Sequence, residues 1–215
     1  MNITFQTRSG LTLPELLLVI VILAVLIVSI IPATSSRTMR APRITCVNNL
    51  KQVGLSMRLW AEDNDGKFPN QVSTNDGGLM EIADSAKAFR HFQLLSNELG
   101  TPKILVCPTD EKRGAATNFK SLANKNVSFF FGVDAIQTNA NMLIAGDRNI
   151  TNGFPPIRSL ITLRTNQMVE FTKEMHKRQG NVGLSDSSVY QVSSARLRSE
   201  IIPNTGIETN RIKLP

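Results

Sequence analysis

The stretch RSGLTLPELLLVIVILAVLIVSIIP, residues 8–32, decides how the rest of the chain is organised. Behind Glu15 its side chains are apolar as far as Ile31, with Ser29 as the one polar exception. A helix over 11–31 would rise about 1.5 Å per residue and span about 30 Å, the thickness of a bilayer core. The stretch therefore predicts a membrane-spanning helix that begins beside a carboxylate.

The composition is that of a folded domain, with 41% hydrophobic and 19% charged residues. The net charge is +7, but the 24 lysines and arginines are scattered along the chain. The single Trp and single Tyr offer little surface on which bases could stack. We therefore expect the basic surplus to serve solubility, and we expect no nucleic-acid partner.

Glu15 is unusual at its position because a charge inside a bilayer costs several kcal/mol and needs a partner or a route to water. In the first turn of a helix it lies near water and near the positive end of the helix dipole. Pro14 suits the same turn, since its missing N–H would have no helical partner there. Glu15 either binds a group on another chain or marks the interfacial edge of an ordinary anchor.

An ordinary cleaved secretory signal is the alternative for the same segment. Arg8 precedes the apolar run, and the small residues PATSS, 32–36, follow it. The length of the run and the acid at its start weigh against this alternative. A count of basic residues favours an orientation with the carboxyl-terminal side inside the cell, because Arg37, Arg40 and Arg43 follow the span. This conflicts with a domain on the outer side of the membrane.

The segment GLTLPE, residues 10–15, followed by an apolar helix, resembles the class III signal of type IV pilins and type II secretion pseudopilins. The usual pattern of that family is Gly, Phe, Thr, Leu, a variable residue and Glu, so this chain has Leu in place of Phe. The resemblance implies that a prepilin peptidase cuts between Gly10 and Leu11 and methylates Leu11. It also implies that Glu15 pairs with the new amino terminus of a neighbouring subunit, and that Pro32 is the proline of the mature helix.

The resemblance implies an α+β, pilin-like fold in which a long amino-terminal helix packs on an antiparallel β-sheet. We expect a leader over 1–10, a membrane-spanning half-helix over 11–31, an amphipathic continuation over 32–65 and a globular α+β domain over 66–215. Apolar residues at three- and four-residue steps predict the continuation, which should end near Asp63. Its apolar stripe comprises Val47, Leu50, Gly54, Met57 and Ala61, widened by Cys46, Val53 and Trp60.

Short runs of β-forming residues separated by turns predict an antiparallel sheet in the domain. The predicted strands cover 104–106, 127–132, 142–146, 167–172, 181–185 and 188–192. Helices are predicted over about 85–99, closed by Gly100 and Pro102, and over 195–201.

Cys46 and Cys107 leave two interpretations open, a disulfide and a pair of buried thiols. An even number of cysteines in an exported domain permits a disulfide, which would tie the amphipathic helix to the start of the sheet. A zinc site that adds His91 and His176 is a third arrangement. No pair among these four residues has the local spacing of zinc ligands, so we expect no zinc site.

Four further segments resemble those of a large group of bacterial pseudopilin-like proteins. They are CVNNLKQVGLSMRLWAEDNDGKFP from Cys46, LVCPTD from Leu105, GDRN from Gly146 and HKRQGNVGLSDSSV from His176. The last departs from the usual pattern by having Ser187 where Gly follows Asp. Backbone geometry that needs glycine at that position is therefore in doubt.

Some secretion pseudopilins hold calcium in a carboxyl-terminal loop, which by resemblance makes Asp147 and Asp186 candidate ligands of a calcium site. We otherwise expect no cofactor. The run GLSDS, 183–187, matches a nucleophile elbow except at its last position, and His176 with Asp186 does not complete a credible triad. We therefore expect no catalytic residues.

The sequence predicts a structural subunit rather than an enzyme. Its expected partners are other pseudopilins, a prepilin peptidase, an inner-membrane assembly platform and membrane lipid. Its expected location is the bacterial inner membrane, crossed once, with a periplasmic domain that joins an extracytoplasmic filament. Two alternatives stay open: a DNA-uptake pilin-like subunit, and a secreted or anchored binding module or hydrolase with an ordinary signal sequence.

Overall fold

The computed structural model describes residues 12–35, 40–82 and 85–215. The chain divides into two compact units, the first ending at Ala41 and the second running from Pro42 to Pro215. The expected processing residues, Gly10 and Leu11, lie outside the described residues. The second unit therefore begins within the segment 32–65, which was predicted as the amphipathic continuation of the helix.

The described part of the first unit is helix α1, Leu13–Ser35. At its start, the backbone N–H and the hydroxyl of Thr12 both donate to Glu15 Oε2, each at 2.8 Å. This is one half of a capping box, in which an acid in the first turn holds the N-cap backbone. The described side chains of α1, as far as Ile27, are all exposed.

A membrane-spanning helix is expected from the sequence over 11–31. Among the residues that the structure describes, no helix reaches the length and hydropathy that crossing a membrane requires.

Helix α2, Arg40–Glu62, is amphipathic and ends beside Asp63, which confirms the sequence prediction. Pro42 lies in its first turn, where a backbone N–H has no helical partner, so the proline begins the helix without interrupting it. The apolar side chains that α2 buries are Cys46, Leu50, Val53, Met57, Trp60 and Ala61. Ile44, Leu55 and Leu59 are exposed.

The second unit contains eight described strands: β1 Phe129–Gly132, β2 Leu143–Asp147, β3 Ile150–Thr151, β4 Leu160–Arg164, β5 Glu170–Phe171, β6 Gln179–Leu184, β7 Val189–Ser193 and β8 Thr209–Lys213. Six of them form one sheet in the order β4–β8–β1–β2–β6–β7, and β3 pairs with β5. Every pairing is antiparallel. The predicted α+β class with an antiparallel sheet is confirmed.

Strand β1 is buried on both faces because of its three consecutive phenylalanines. Successive side chains of a strand point to opposite faces. Phe129 and Phe131 join the core that contains α2, whereas Phe130 joins a second core with Leu197 and Ile201. The sheet therefore lies between α2 on one side and the helical segment near residue 200 on the other.

The shorter helices differ in part from the sequence prediction. They are α3 Phe89–Leu94, α4 Ser96–Leu99, and α5 Ser194–Arg196, which continues through a π-helical turn, Leu197–Ile201, into α6 Ile202–Asn204. Single 3₁₀ turns cover Pro69–Gln71, Thr74–Asp76, Met80–Ile82, Pro102–Leu105, Phe119–Ser121 and Asn124–Asn126. The predicted helix over 85–99 is thus two short helices separated at Leu95, and the short helix near 195–201 is confirmed.

The strand predicted over 104–106 is wrong, because the chain forms the 3₁₀ turn Pro102–Leu105 there. Pro102 fixes a helical φ at the first position of the turn, and the Thr101 hydroxyl accepts from the Lys103 N–H at 3.4 Å. Strands β3, β4 and β8 were not predicted.

A disulfide joins Cys46 of α2 to Cys107, with the two Cα atoms 4.9 Å apart. Both side chains are fully buried. Beside the bond, Asn49 Nδ2 donates to the carbonyl of Val106 at 3.1 Å. Between the two interpretations left open by the sequence, the structure has the disulfide. It holds α2 to the chain that leads into the sheet.

Replacing both cysteines by alanine is expected to lower the free energy of unfolding by about 4 kcal/mol, because the bond closes a long loop in the unfolded chain. The two positions are 61 residues apart. Urea unfolding of the full chain in detergent, followed by the fluorescence of the single tryptophan, Trp60, would measure the change. The chemically reduced parent protein serves as the control and should unfold at a urea midpoint similar to that of the double variant. If both had the midpoint of the oxidised parent, the role given to the bond would be contradicted.

Candidate functional site

Four of the segments noted in the sequence meet beside the disulfide. Their polar and sulfur-containing side chains form one group, which we call the polar cluster: Cys46, Cys107, Thr109, Asp147, His176 and Asn181. The segments that contribute them are far apart in the chain and come together through α2, the Cys107 loop, β2 and β6.

The pairing of β2 with β6 brings Asp147 to Asn181. In their register Gly146 lies opposite Val182, so the next residue of β2 lies opposite Asn181. Asp147 Oδ2 accepts from the backbone N–H of Asn181 at 2.7 Å and from its Nδ2 at 2.9 Å. Asp147 is fully buried, and among the described residues its Oδ1 has no hydrogen-bond partner.

His176 reaches the cluster from a turn of unusual backbone conformation. His176, Lys177 and Arg178 have φ values of 48°, 53° and 65°, all in the left-handed region. That conformation costs about 1–2 kcal/mol for each residue that carries a Cβ. The turn orients the imidazole inward, with Nε2 at 3.4 Å from Cys107 Sγ and 3.3 Å from Asp147 Oδ2.

Asn149 holds the turn that carries His176. Its side chain is buried, and Nδ2 lies within hydrogen-bond distance of the carbonyls of Thr172, Met175 and Gln179, at 3.1, 3.1 and 3.2 Å. These carbonyls lie before and after the left-handed residues. The bonds therefore stabilise the strained turn from inside.

An ion pair next to the cluster ties the Cys107 loop to the same turn. Arg148 binds Asp110 through two bonds, Nε to Oδ2 and Nη2 to Oδ1, each at 2.7 Å. Its Nη1 donates to Glu174 at 2.7 Å. Although burial raises the pKa of Asp110, the bonds from Arg148 outweigh this effect and leave it below its ordinary value.

Burial acts on the two ionisable groups of the cluster in the same sense, because it disfavours the charged form of each. It raises the pKa of Asp147 to about 7, against the hydrogen bonds from Asn181. It lowers the pKa of His176 to about 4, helped by the positive charge of Arg43. At neutral pH the imidazole is therefore uncharged, and Asp147 lies close to its point of ionisation.

The structure separates the other residues that were considered as metal ligands. His91 lies away from the polar cluster, with its ring centroid 4.5 Å from that of Phe131, so the four-residue zinc grouping is not formed. Asp186 lies in the β6–β7 turn, and its N–H donates to the carbonyl of Ala140, which precedes β2. Asp147 is the last residue of β2, so the two carboxylates expected to share calcium lie at opposite ends of that strand.

The same turn shows how the chain accommodates serine in place of glycine. Ser187 has a φ of 68°, so it adopts the left-handed conformation in which glycine is usual. A Cβ built on Gly54 of α2 would lie only 3.2 Å from Ser187 Cα, so the glycine on the helix permits the close approach. Arg58 also donates to the Asp186 carbonyl at 3.2 Å.

The polar cluster has the chemistry of a closed site. Within the described residues, the side chain of His176 is 1% exposed and that of Asp147 is fully buried. Groups buried to this extent are better suited to stabilising the fold or holding an ion than to reacting with a substrate. The sequence picked out Cys46, Cys107, His176 and Asp147 separately. It assigned no role to Asn149 or Asn181, for which the only signal was their place in the GDRN and HKRQGN segments.

Comparisons with protein-family models, with curated proteins and with solved structures gave no match for this chain.

Lys177→Gly is expected to raise the free energy of unfolding by about 0.5–1 kcal/mol, since glycine takes a positive φ without the cost of a Cβ and loses only part of that gain to chain entropy. Lys173→Gly, in the same turn at an ordinary φ, is the matched control and should lower it. Urea unfolding of both variants would show the difference. Equal effects of the two substitutions would show that the turn stores no such strain.

Replacing Asp147 or His176 is expected to change how the free energy of unfolding varies with pH, and the two replacements should change its slope in opposite directions. Because the pKa of Asp147 is raised, the folded chain keeps a proton that the unfolded chain loses, and this contribution declines as the pH rises from about 4 to about 7. Because the pKa of His176 is lowered, the folded chain lacks a proton that the unfolded chain binds, and stability increases with pH from about 4 to 6.5.

The two contributions largely cancel in the parent protein. Between about pH 4 and 7, Asp147→Asn should therefore make the free energy of unfolding rise more steeply with pH, and His176→Gln should make it fall with pH. Each substitution should change the slope by up to about 1.4 kcal/mol per pH unit. Unfolding curves at several pH values would measure the slopes. Asp186→Asn is the control, since that side chain is exposed. Parallel profiles for all four proteins would refute this account of the pair.

Proposed function

We propose that the chain is a pseudopilin-like subunit of a type II secretion or type IV pilus-like machine. In this proposal a prepilin peptidase cuts between Gly10 and Leu11 and methylates Leu11. Helix α1 anchors the subunit in the inner membrane and assembles with other pseudopilins on the inner-membrane platform into a filament. The α+β unit that starts at Pro42 lies in the periplasm, in a pilin-like arrangement with α2 against the sheet.

The observation that carries the proposal is the apolar sequence of helix α1 from Leu16 to Ile27, with the acid Glu15 in its first turn. Its described side chains are exposed from Leu13 to Ile27. A helix that is apolar on every side gains nothing from covering one face, so it is stable only when lipid or other helices surround it. Filament subunits that move from a bilayer into a bundle of helices meet both conditions.

Glu15 gives the proposal its specific chemistry. Both hydrogen bonds from Thr12 end on Oε2, so among the described residues Oε1 stays open to a further donor. Cleavage before Leu11 would create a new amino group four residues before Glu15, and in this proposal that group pairs with Glu15 of a neighbouring subunit. Pairing of the two would relieve the cost of a carboxylate in an apolar surrounding and would fix the axial position of one subunit against the next.

Mass spectrometry of the membrane-purified full chain, expressed with an active prepilin peptidase, should find an N-methylated terminus at Leu11. An inactive peptidase should leave Met1 in place. A terminus near Thr34 with either enzyme would indicate an ordinary signal sequence and would overturn the proposal.

Glu15→Gln is expected to be cut normally and to lose filament assembly, because it keeps the size of the side chain and removes its charge. Glu208→Gln, at an exposed position of the second unit, is the matched control and should assemble. Cross-linking and sedimentation of detergent-free membranes would measure assembly. Normal filaments from Glu15→Gln would reduce Glu15 to a marker of the interfacial edge.

A further inference from the structure

The polar cluster brings together atoms of the kind that bind a metal ion, although its two sulfur atoms are bonded to each other and must separate before both can bind one ion. Cys46 Sγ, Cys107 Sγ and one ring nitrogen of His176 lie within 4.8 Å of one another. His176 Nε2 is 3.4 Å from Cys107 Sγ and 3.3 Å from Asp147 Oδ2. Zinc bonds of about 2.3 Å to sulfur and about 2.0–2.1 Å to nitrogen or oxygen place tetrahedral ligands about 3.4–3.8 Å apart.

The carboxylate of Asp147 is a second, independent sign of an ion. It is fully buried, and its Oδ1 has no partner among the described residues, although a buried carboxylate oxygen ordinarily has one. The other oxygen of this carboxylate, Oδ2, lies 3.3 Å from His176 Nε2, so the carboxylate borders the cluster. A divalent cation would supply the missing positive charge at this point.

The groups around these ligands are those that orient metal ligands elsewhere. Thr109 Oγ1 lies 3.4 Å from both Nδ1 and Nε2 of His176, and Asn181 Nδ2 lies 3.2 Å from Nε2, so these two side chains hold the imidazole in place. Asn181 fixes Asp147 Oδ2 with two bonds. Two thiolates and an imidazole select zinc over magnesium or calcium.

We propose that the polar cluster is a zinc site that the disulfide closes: when Cys46 and Cys107 are reduced, their thiolates, His176 Nε2 and the Asp147 carboxylate bind one Zn²⁺. A dithiol supplies two electrons and two protons, so the sulfur–sulfur bond breaks and the dithiol becomes a disulfide. The two thiols then release two protons as they bind the metal. The inference does not depend on the function proposed above.

The zinc form would keep α2 attached to the sheet in a chain whose disulfide has not yet formed or has been reduced. The four ligands come from α2, the Cys107 loop, β2 and the His176 turn, so one ion would join the same elements that the disulfide and its neighbours join. Binding would therefore stabilise the reduced fold, because the unfolded chain cannot bring these ligands together.

The test uses the full chain in detergent micelles, reduced with a phosphine, freed of metal and titrated with Co²⁺ as a spectroscopic substitute for Zn²⁺. We expect one Co²⁺ per reduced chain, with the visible bands of tetrahedral cobalt and a thiolate-to-cobalt charge-transfer band, all displaced by Zn²⁺. The oxidised chain should show none of these bands. Absence of binding, or an octahedral spectrum without the charge-transfer band, would overturn the proposal.

The ligand set is tested with two histidine variants, each checked for its fold by circular dichroism. His176→Gln should weaken Co²⁺ binding at least about tenfold. His91→Gln removes a buried histidine outside the cluster and should leave binding unchanged. If the reduced, metal-free chain unfolds, Zn²⁺ should refold it, and failure to do so would count against the site. Equal affinities of both variants would show that His176 is not a ligand.

Discussion

The second unit depends on the contact between α2 and the six-stranded sheet, and the Cys46–Cys107 disulfide bonds α2 to the loop that precedes the sheet. On the sheet side, Phe129 and Phe131 supply the apolar surface against which the helix packs. Gly54 then allows the backbone of α2 to approach the β6–β7 turn closely. Packing, a covalent bond and the absence of a side chain at one position thus act on the same interface. The polar cluster lies beside it and shares its cysteines.

The GDRN segment shows how three neighbouring residues can join separate parts of a fold. Asp147 binds Asn181 across the sheet, Arg148 binds Asp110 in the Cys107 loop, and Asn149 holds the turn that carries His176. Each contact links segments far apart in the chain, so none of them is visible as a local pattern. Together they explain why a strained left-handed turn persists: its surroundings leave the backbone no relaxed alternative that keeps the same bonds.

The sequence predicted the elements whose signal is local and missed those whose identity depends on their partners. Helix α2 was predicted because its buried residues recur at helical spacing. Strand β8 was missed because Thr209–Lys213 contains one apolar residue, Ile212, and becomes a strand by pairing with both β1 and β4. The strand prediction for 104–106 was wrong for the opposite reason: the apolar run suggested a strand, but Thr101 and Pro102 start a 3₁₀ turn there. The cysteine pairing, the place of His176 and the separation of Asp147 from Asp186 all required the fold.

The order of residues along the chain indicates when, during folding, the disulfide can form. Among the described residues, all the strands follow Cys107, and the loop that the bond closes contains only helices and turns. A chain that emerges from its amino-terminal end exposes both sulfur atoms before the first strand, β1, emerges. Covalent closure can therefore precede the sheet, which would then be assembled, strand by strand, on a helix whose partner segment is already attached.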